Sequence, residues 1–330
     1  MKVCIVGAGA IGGWIGTRLA AAGVTVSAIA RGDTLASLRT HGWRLQTANG
    51  LVQAPVAAAS ANAADLGEQD LVIIAVKGPA LAAVVQGIGP LRGAQTIVLP
   101  AMNGVPWWFC QGLPGFAEPL VSVDAGGSIA RAIPFECVLG CVVHGSTTTS
   151  EPGLVQHKGG NGLIVGEAAG GRSDRAQQVA DLLARAGFDV THSEQVRQAI
   201  WYKLWGNMTM NPISALTGAT VDRILADPLV RAFCAQAMVE AQAVGARIGC
   251  AIDETPEARN AITAKLGAFK TSMLQDALAG RQLELDAIVG VVYEIGARLG
   301  IATPSINALL GLTRLMAQVR GLYPDGKIAS

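Results

Sequence analysis

The stretch KVCIVGAGAIGG, residues 2–13, decides the fold. Lys2 to Val6 is a short β-branched run of the kind that forms a buried strand. It leads into Gly7-Ala8-Gly9-Ala10-Ile11-Gly12, a G-x-G-x-x-G turn, and then into an alanine- and leucine-rich helical stretch that stops at Gly23. Strand, glycine turn and helix in that order are more specific than the glycine pattern alone. Gly7 permits a tight turn, Gly9 lets a ligand come close to backbone, and Gly12 lets helix and strand pack closely. The amides that open the helix, those of Ala10 and Ile11, suit a phosphate charge.

Further strands and helices alternate downstream. TVSAIA (25–30) reads as a second strand, and Asn49-Gly50 as a hairpin. LVIIAV (71–76) reads as a fully buried strand, Pro79 to about Ile88 as its helix, and TIVLP (96–100) as the next strand. This alternation predicts an α/β fold with a Rossmann-type, doubly wound parallel sheet, and with it a dinucleotide ligand. The second strand ends Ala30-Arg31-Gly32. An NAD site places Asp or Glu there for the ribose 2′-hydroxyl, whereas Arg31 offers a guanidinium to a 2′-phosphate. That predicts NADPH; the other reading of Arg31 is a solvated surface residue. Asp33 comes too late for the ribose and is expected to cap the next segment.

From about 120 to 167 the chain breaks into strand-like pieces such as VLGCVVHGS and GLIVGE, expected to extend the same sheet. A helix is expected from Asp174 to Ala186, and FDVTHS (188–193) is the last strand-like segment. The remainder reads as all-helical, with starts at Asp227-Pro228, Thr255-Pro256, Ser272, near Leu283 and at Thr303-Pro304. The domains are therefore 1–193, a nucleotide-binding unit, and 194–330, an all-helical C-terminal unit. The last residues, YPDGKIAS (323–330), are expected to fray.

Composition narrows the classes. The 330 residues are 51% hydrophobic and 15% charged, which is a globular balance rather than a disordered one. The formal net charge is +1 and no basic run tracks a phosphate backbone, so nucleic acid is not an expected partner. Apolar stretches stop short of about 18 residues, which argues against a membrane span, and no secretory cleavage pattern is present. A cytoplasmic protein is expected. The six cysteines contain no C-x-x-C pair and the four histidines are dispersed, so no metal site is expected. The apolar helical half is a candidate surface for a homodimer.

Within WYKLWGNMTMNPIS (201–214), Lys203, Asn207 and Asn211 recur every four residues. On a helix that spacing stacks them on one narrow stripe. Lys is rarely buried without a partner, and amides in line with it need partners too. The stripe points to a bound polar substrate.

The chain resembles the ketopantoate reductase family, the 2-dehydropantoate 2-reductases, over nearly its whole length. The segments that carry the resemblance are GAGAIGG, AVKGPAL around Lys77, the NGV at Asn103, KLWGNMTMNPISALTG, SMLQD (272–276) and LELD (283–286). It implies NADPH-dependent reduction of a small 2-keto acid, 2-dehydropantoate to (R)-pantoate, in pantothenate biosynthesis, with substrate bound between the domains. It further implies that Lys203 is the general acid for the carbonyl oxygen and that Asn207 and Asn211 orient the substrate. Glu284 would partner Lys203 or hold a substrate hydroxyl, or else complement a helix dipole. Ser272 would contact substrate, although Ser272-Met-Leu-Gln275 is also a capping-box sequence. Asn103 and Lys77 lie where ligands collect, beyond the ends of parallel strands. Asn103 would meet the nicotinamide end or simply form an Asn-Gly turn, and Lys77 would reach the cofactor or a substrate carboxylate. Asn211 would contact substrate or cap a helix ended by Pro212.

Trp107 and Trp108 follow the NGV directly, and Trp14 lies beside the glycine turn. They either line a pocket for a bulkier, aromatic 2-keto acid, as in a D-2-hydroxyacid dehydrogenase, or pack an interface. A non-catalytic NADPH-binding regulator is the rival from another class.

Overall fold

The computed structural model describes residues 1–325, and the chain divides into two compact units. The first takes Met1–Asn103 and Ser128–Arg197; the second takes Gly104–Gly127 and the chain from Gln198 on. The chain thus leaves the first unit after Asn103 and re-enters it at Ser128.

The first unit holds a five-stranded sheet: β1 (Lys2–Val6), β2 (Thr25–Ile29), β5 (Ala59–Ser60), β6 (Gln69–Ile74) and β7 (Arg92–Pro100). Its order is β5-β2-β1-β6-β7 and every pair is parallel. The crossover helices are α1 (Ala10–Ala21), α2 (Gly32–His41) and α3 (Gly78–Val85). The chain moves to one side of β1 for β2 and to the other for β6. The end of β1 is therefore the topological switch point, where ligands of such sheets bind.

Apart from one parallel bridge from Val138 to Val98 of β7, the segments at 120–167 do not extend this sheet. They form a second sheet with β3 (Trp43–Thr47), β4 (Gly50–Ala54), β8 (Leu139–Glu151), β9 (Leu154–Glu167) and β10 (Asp189–His192). Its order is β10-β9-β3-β4, with β8 antiparallel on β9. The reason lies in α1, whose sequence AIGGWIGTRLAA has almost no polar face and must be covered on both sides. Gly12 faces Ile5 and Ala75 of the first sheet, while Gly13 meets Val155 and Gly16 lies on the Trp43 ring of the second. Trp14 stacks on His157 with centroids 5.3 Å apart and meets Phe188 edge-on. A further helix, α6 (Asp174–Arg185), is capped by Ser173, and the short α5 (Ser128–Ala132) opens the returning segment.

In the second unit the excursion 104–127, with its short helix α4 (Val121–Asp124), is held by α12 (Val291–Arg298) and the π-turn before it. Val105 N–H donates to the Ala287 carbonyl at 2.8 Å, and Glu294 accepts from Val121 N–H and Ser122 N–H, both at 2.8 Å. Arg298 donates to the Glu118 and Pro119 carbonyls. Trp107 and Trp108 lie in this excursion and are only 4% and 1% exposed, so they pack the unit and offer a ligand almost no surface.

The other helices are α7 (Val196–Thr217), α8 (Val221–Ala226), α9 (Pro228–Arg247), α10 (Pro256–Ala264), α11 (Ser272–Leu278) and α13 (Pro304–Val319). Asp227 caps α9 through Leu229 and Val230, and Thr255 caps α10. No helix of the described residues is long and apolar enough to cross a membrane, and no group of three metal-ligating side chains occurs among them. All six cysteines are thiols, five of them buried, and burial pushes Cys4 and Cys234 up to about 12.

Fraying does not begin at Tyr323. That ring is buried, and its hydroxyl donates to Asp286 at 2.5 Å while Leu322 accepts from Leu283 N–H at 3.0 Å. Residues 326–330, also expected to fray, lie outside the described residues.

Candidate active site

At the end of β1 the glycines build a cradle. Gly7 sits at φ +95°, where a side chain is strained, and its N–H donates to the Ile29 carbonyl at 3.0 Å. A methyl group on Gly12 would overlap the Gly7 carbonyl oxygen, so helix and turn close on each other only without one. A Cβ on Gly9, by contrast, would meet nothing within 4 Å. Gly9 is the N-cap of α1 with no side chain to spend, so the first-turn amides, including those of Ala10 and Ile11, have no capping side chain at Gly9.

This cradle opens into a cavity of about 270 Å³ that Gly7, Gly9, Ala30, Arg31 and Thr34 help to line. No carboxylate lines it among the described residues. Arg31 is the extended N-cap residue of α2 and its side chain makes no capping bond. Asp33 falls in the first turn of α2 rather than at its cap. Open backbone at a helix start, a basic residue beyond β2 and the switch-point location together fit a nicotinamide dinucleotide. Thr34 was not legible as a lining residue, because only the turn of α2 brings it round to the cavity.

Lys77 and Asn103 hold matching places. β6 and β7 pair Ile74 with Pro100, and each residue follows its strand's partner by three positions. Lys77 is the N-cap residue of α3, and Asn103 precedes Gly104 at φ +82°. Both therefore stand beyond the carboxyl ends of neighbouring strands.

In the second unit α7 carries Lys203, Asn207 and Asn211 on one stripe, the first two half-buried and Asn211 only 4% exposed. Pro212 does not end this helix, which runs on to Thr217, so Asn211 is an interior residue and not a terminal cap. Ser214 Oγ donates to the Asn211 carbonyl at 3.1 Å and Thr217 Oγ1 to Ile213 at 2.7 Å.

Ser272 is not the cap of α11. That role belongs to Thr271, whose hydroxyl accepts from Leu274 N–H at 3.2 Å and also bonds to Ser214 of α7. Ser272 is exposed at the first helical position, and the Thr271–Ser214 bond brings it to the Asn211 end of the stripe. Glu284 is half-buried between the buried Leu283 and Leu285, in the extended lead to the π-turn at Asp286–Gly290.

The family model of ketopantoate reductase PanE/ApbA matches residues 3–170, and that of its C-terminal part matches residues 195–317. The chain belongs to the ketopantoate reductase family. A 2-dehydropantoate 2-reductase of Mesorhizobium japonicum is 42% identical over 98% of this chain and 100% of its own length. The crystal structure of a provisionally assigned ketopantoate reductase from Ralstonia solanacearum MolK2 is 55% identical, with a TM-score of 0.94 over 98% of this chain and 99% of that one. A D-mandelate dehydrogenase solved with NADH and anilino(oxo)acetate shares the fold at 22% identity, TM-score 0.83, over 98% of this chain and 100% of that one. Members of the family are oxidoreductases that use a nicotinamide cofactor, and the two family matches fall on the cradle and on the α7 stripe respectively.

Proposed function

We propose that this chain reduces 2-dehydropantoate to (R)-pantoate with NADPH. The observation that carries the reading is the Lys203, Asn207 and Asn211 stripe, a cation and two amides along a helix that is otherwise largely buried. Supporting it are the glycine cradle and the matching relatives.

When bound, the nicotinamide supplies a hydride to the carbonyl carbon. The Lys203 ammonium stabilises the charge that develops on the carbonyl oxygen and gives it a proton, so the C=O becomes a CH–OH. Asn207 and Asn211 present amides to the hydroxyl and carboxylate groups and fix which face reacts. Glu284 balances the ammonium or holds a substrate hydroxyl. Ser272 and Asn103 complete the substrate contacts, and Lys77 and Asn103 serve the cofactor. Arg31, with no carboxylate beside it in the cavity, favours the 2′-phosphate of NADPH over the bare ribose of NADH.

An aromatic substrate has less support, because the tryptophans that suggested it are core residues. A cytoplasmic homodimer completes the proposal. Its pairing is supported by the exposed stripe Leu312, Leu315 and Val319 on α13, and its compartment by six cysteines held as thiols.

The test is turnover on a panel of 2-keto acids, aliphatic and aromatic, with NADPH and with NADH. The highest kcat/KM is expected for 2-dehydropantoate with NADPH. A preference for an aryl 2-keto acid would overturn the substrate, and no oxidation with any member would leave a nucleotide-binding regulator.

A further inference from the structure

Arg259, on α10, carries a guanidinium whose Nε has no hydrogen-bond partner among the described residues. Its guanidinium lies over the Tyr202 ring, 5.0 Å from the centroid. It fills the notch left by a glycine: a Cβ on Gly206 would sit 3.0 Å from Nη2 and 3.3 Å from Nε. Nε is shielded from solvent and has no hydrogen-bond partner, and no carboxylate lies within ion-pair distance of this side chain among the described residues. The nearby Glu254 is engaged elsewhere, accepting from the Tyr202 hydroxyl at 2.5 Å. A guanidinium is built for paired hydrogen bonds to a planar anion, and holding one partly desolvated without such a partner costs free energy.

Its position says what the anion is. Gly206 lies between Lys203 and Asn207 in sequence, and on an α-helix it is turned only about 60° from Lys203. Arg259 therefore flanks the accessible side of the stripe, where Tyr202, Lys203 and Asn207 are half-buried while Leu204, Trp205 and Met208 are core. In a 2-keto acid the carboxylate is bonded directly to the carbonyl carbon. A guanidinium packed on Gly206 and the Lys203 ammonium, on neighbouring strips of α7, can then divide the substrate between them.

Resting on the reading of this chain as a 2-keto acid reductase, we infer that Arg259 is a substrate-binding residue that takes the carboxylate and leaves the keto oxygen to Lys203. Tyr202 and Glu254 hold the guanidinium in place, the ring from below and the carboxylate by fixing the ring. Any 2-keto acid taken by this site must then carry an ionised carboxylate, while the other end of the molecule is free to vary.

The test is a cycle between protein and substrate. Arg259→Met keeps a stem on the Tyr202 ring without the charge, and Arg259→Lys keeps charge without the planar fork. With 2-dehydropantoate, Arg259→Met is expected to raise KM by about 10- to 100-fold, the loss of one charge-assisted contact, with kcat changed by less than about threefold. Arg259→Lys is expected to fall between the two. The carboxamide analogue of the substrate should bind as poorly to wild type as to Arg259→Met, because the charge it lacks is the one Arg259 reads. NADPH affinity and melting temperature serve as folding controls, and if Arg259→Met fails to fold the same cycle is run with Arg259→Lys. An unchanged KM in the folded variants, or an equal loss with acid and amide, overturns this inference while leaving the reductase reading intact. Wild-type protein that turns over no 2-keto acid overturns both.

Discussion

The Ser214 hydroxyl of α7 is hydrogen-bonded to the Thr271 hydroxyl that caps α11, and both are buried. The proton order follows from the neighbours. Ser214 gives its one hydroxyl proton to the Asn211 carbonyl, so Thr271, which accepts from Leu274 N–H, donates to Ser214. The start of α11 is thereby tied to the last polar residue of the stripe.

Removing this tie separates architecture from binding. Thr271→Val keeps the shape but loses the cap and the bond to Ser214, and should cost about 1–2 kcal/mol of stability. Ser272→Ala should leave the melting temperature unchanged and raise KM instead. Thermal melts of both variants decide it; a stable Thr271→Val protein would mean the cap contributes nothing.

Lys203→Ala should lower kcat by about 10²–10⁴-fold, the usual contribution of a positioned proton donor, while NADPH affinity stays nearly constant. Single-turnover rates with saturating cofactor measure this directly. Unchanged turnover would remove Lys203 from the reaction.

Arg31→Ala should weaken NADPH by about tenfold or more and NADH hardly at all, since only NADPH carries the group that Arg31 would hold. Fluorescence titration with both nucleotides is the measurement. Equal losses would mean that the 2′-phosphate lies elsewhere.

Acid stability should depend on Glu167. Burial raises its pKa, but bonds from Arg175 and Ser173 and the Arg175 charge outweigh that and leave it below the ordinary value. A depressed carboxylate stabilises the fold above its unfolded pKa of about 4.3 and loses that contribution as pH falls through the folded value. Glu167→Gln should therefore melt lower at pH 7 and show a flatter decline on the acid side. A variant whose melting curve parallels wild type from pH 7 to pH 3 would contradict this.

Residue spacing alone was enough for the glycine turn after β1, the caps at Asp227 and Thr255, and the alignment of Lys203, Asn207 and Asn211. Each depends on backbone geometry within one or two turns, which a local pattern specifies. Even locally, competition between neighbours misled: Ser272 begins a capping-box pattern, yet Thr271 one position earlier holds the cap because it also finds Ser214. Pro212 reads as a helix end, but burial on both sides of α7 outweighs the one backbone bond it removes.

The sequence by itself determined a parallel-sheet unit with its nucleotide cradle at the end of β1, a helical remainder, and one polar stripe. Tertiary structure alone decided that β8 and β9 build a second sheet, that 104–127 joins the helices, that Trp107 and Trp108 are core, and that Arg259 lies on the Tyr202 ring against Gly206. Those outcomes turn on which distant surface covers α1, which side chains brace against α12, and which ring Arg259 lies on. Partners far apart along the chain are chosen by burial and shape, and no local period records that choice.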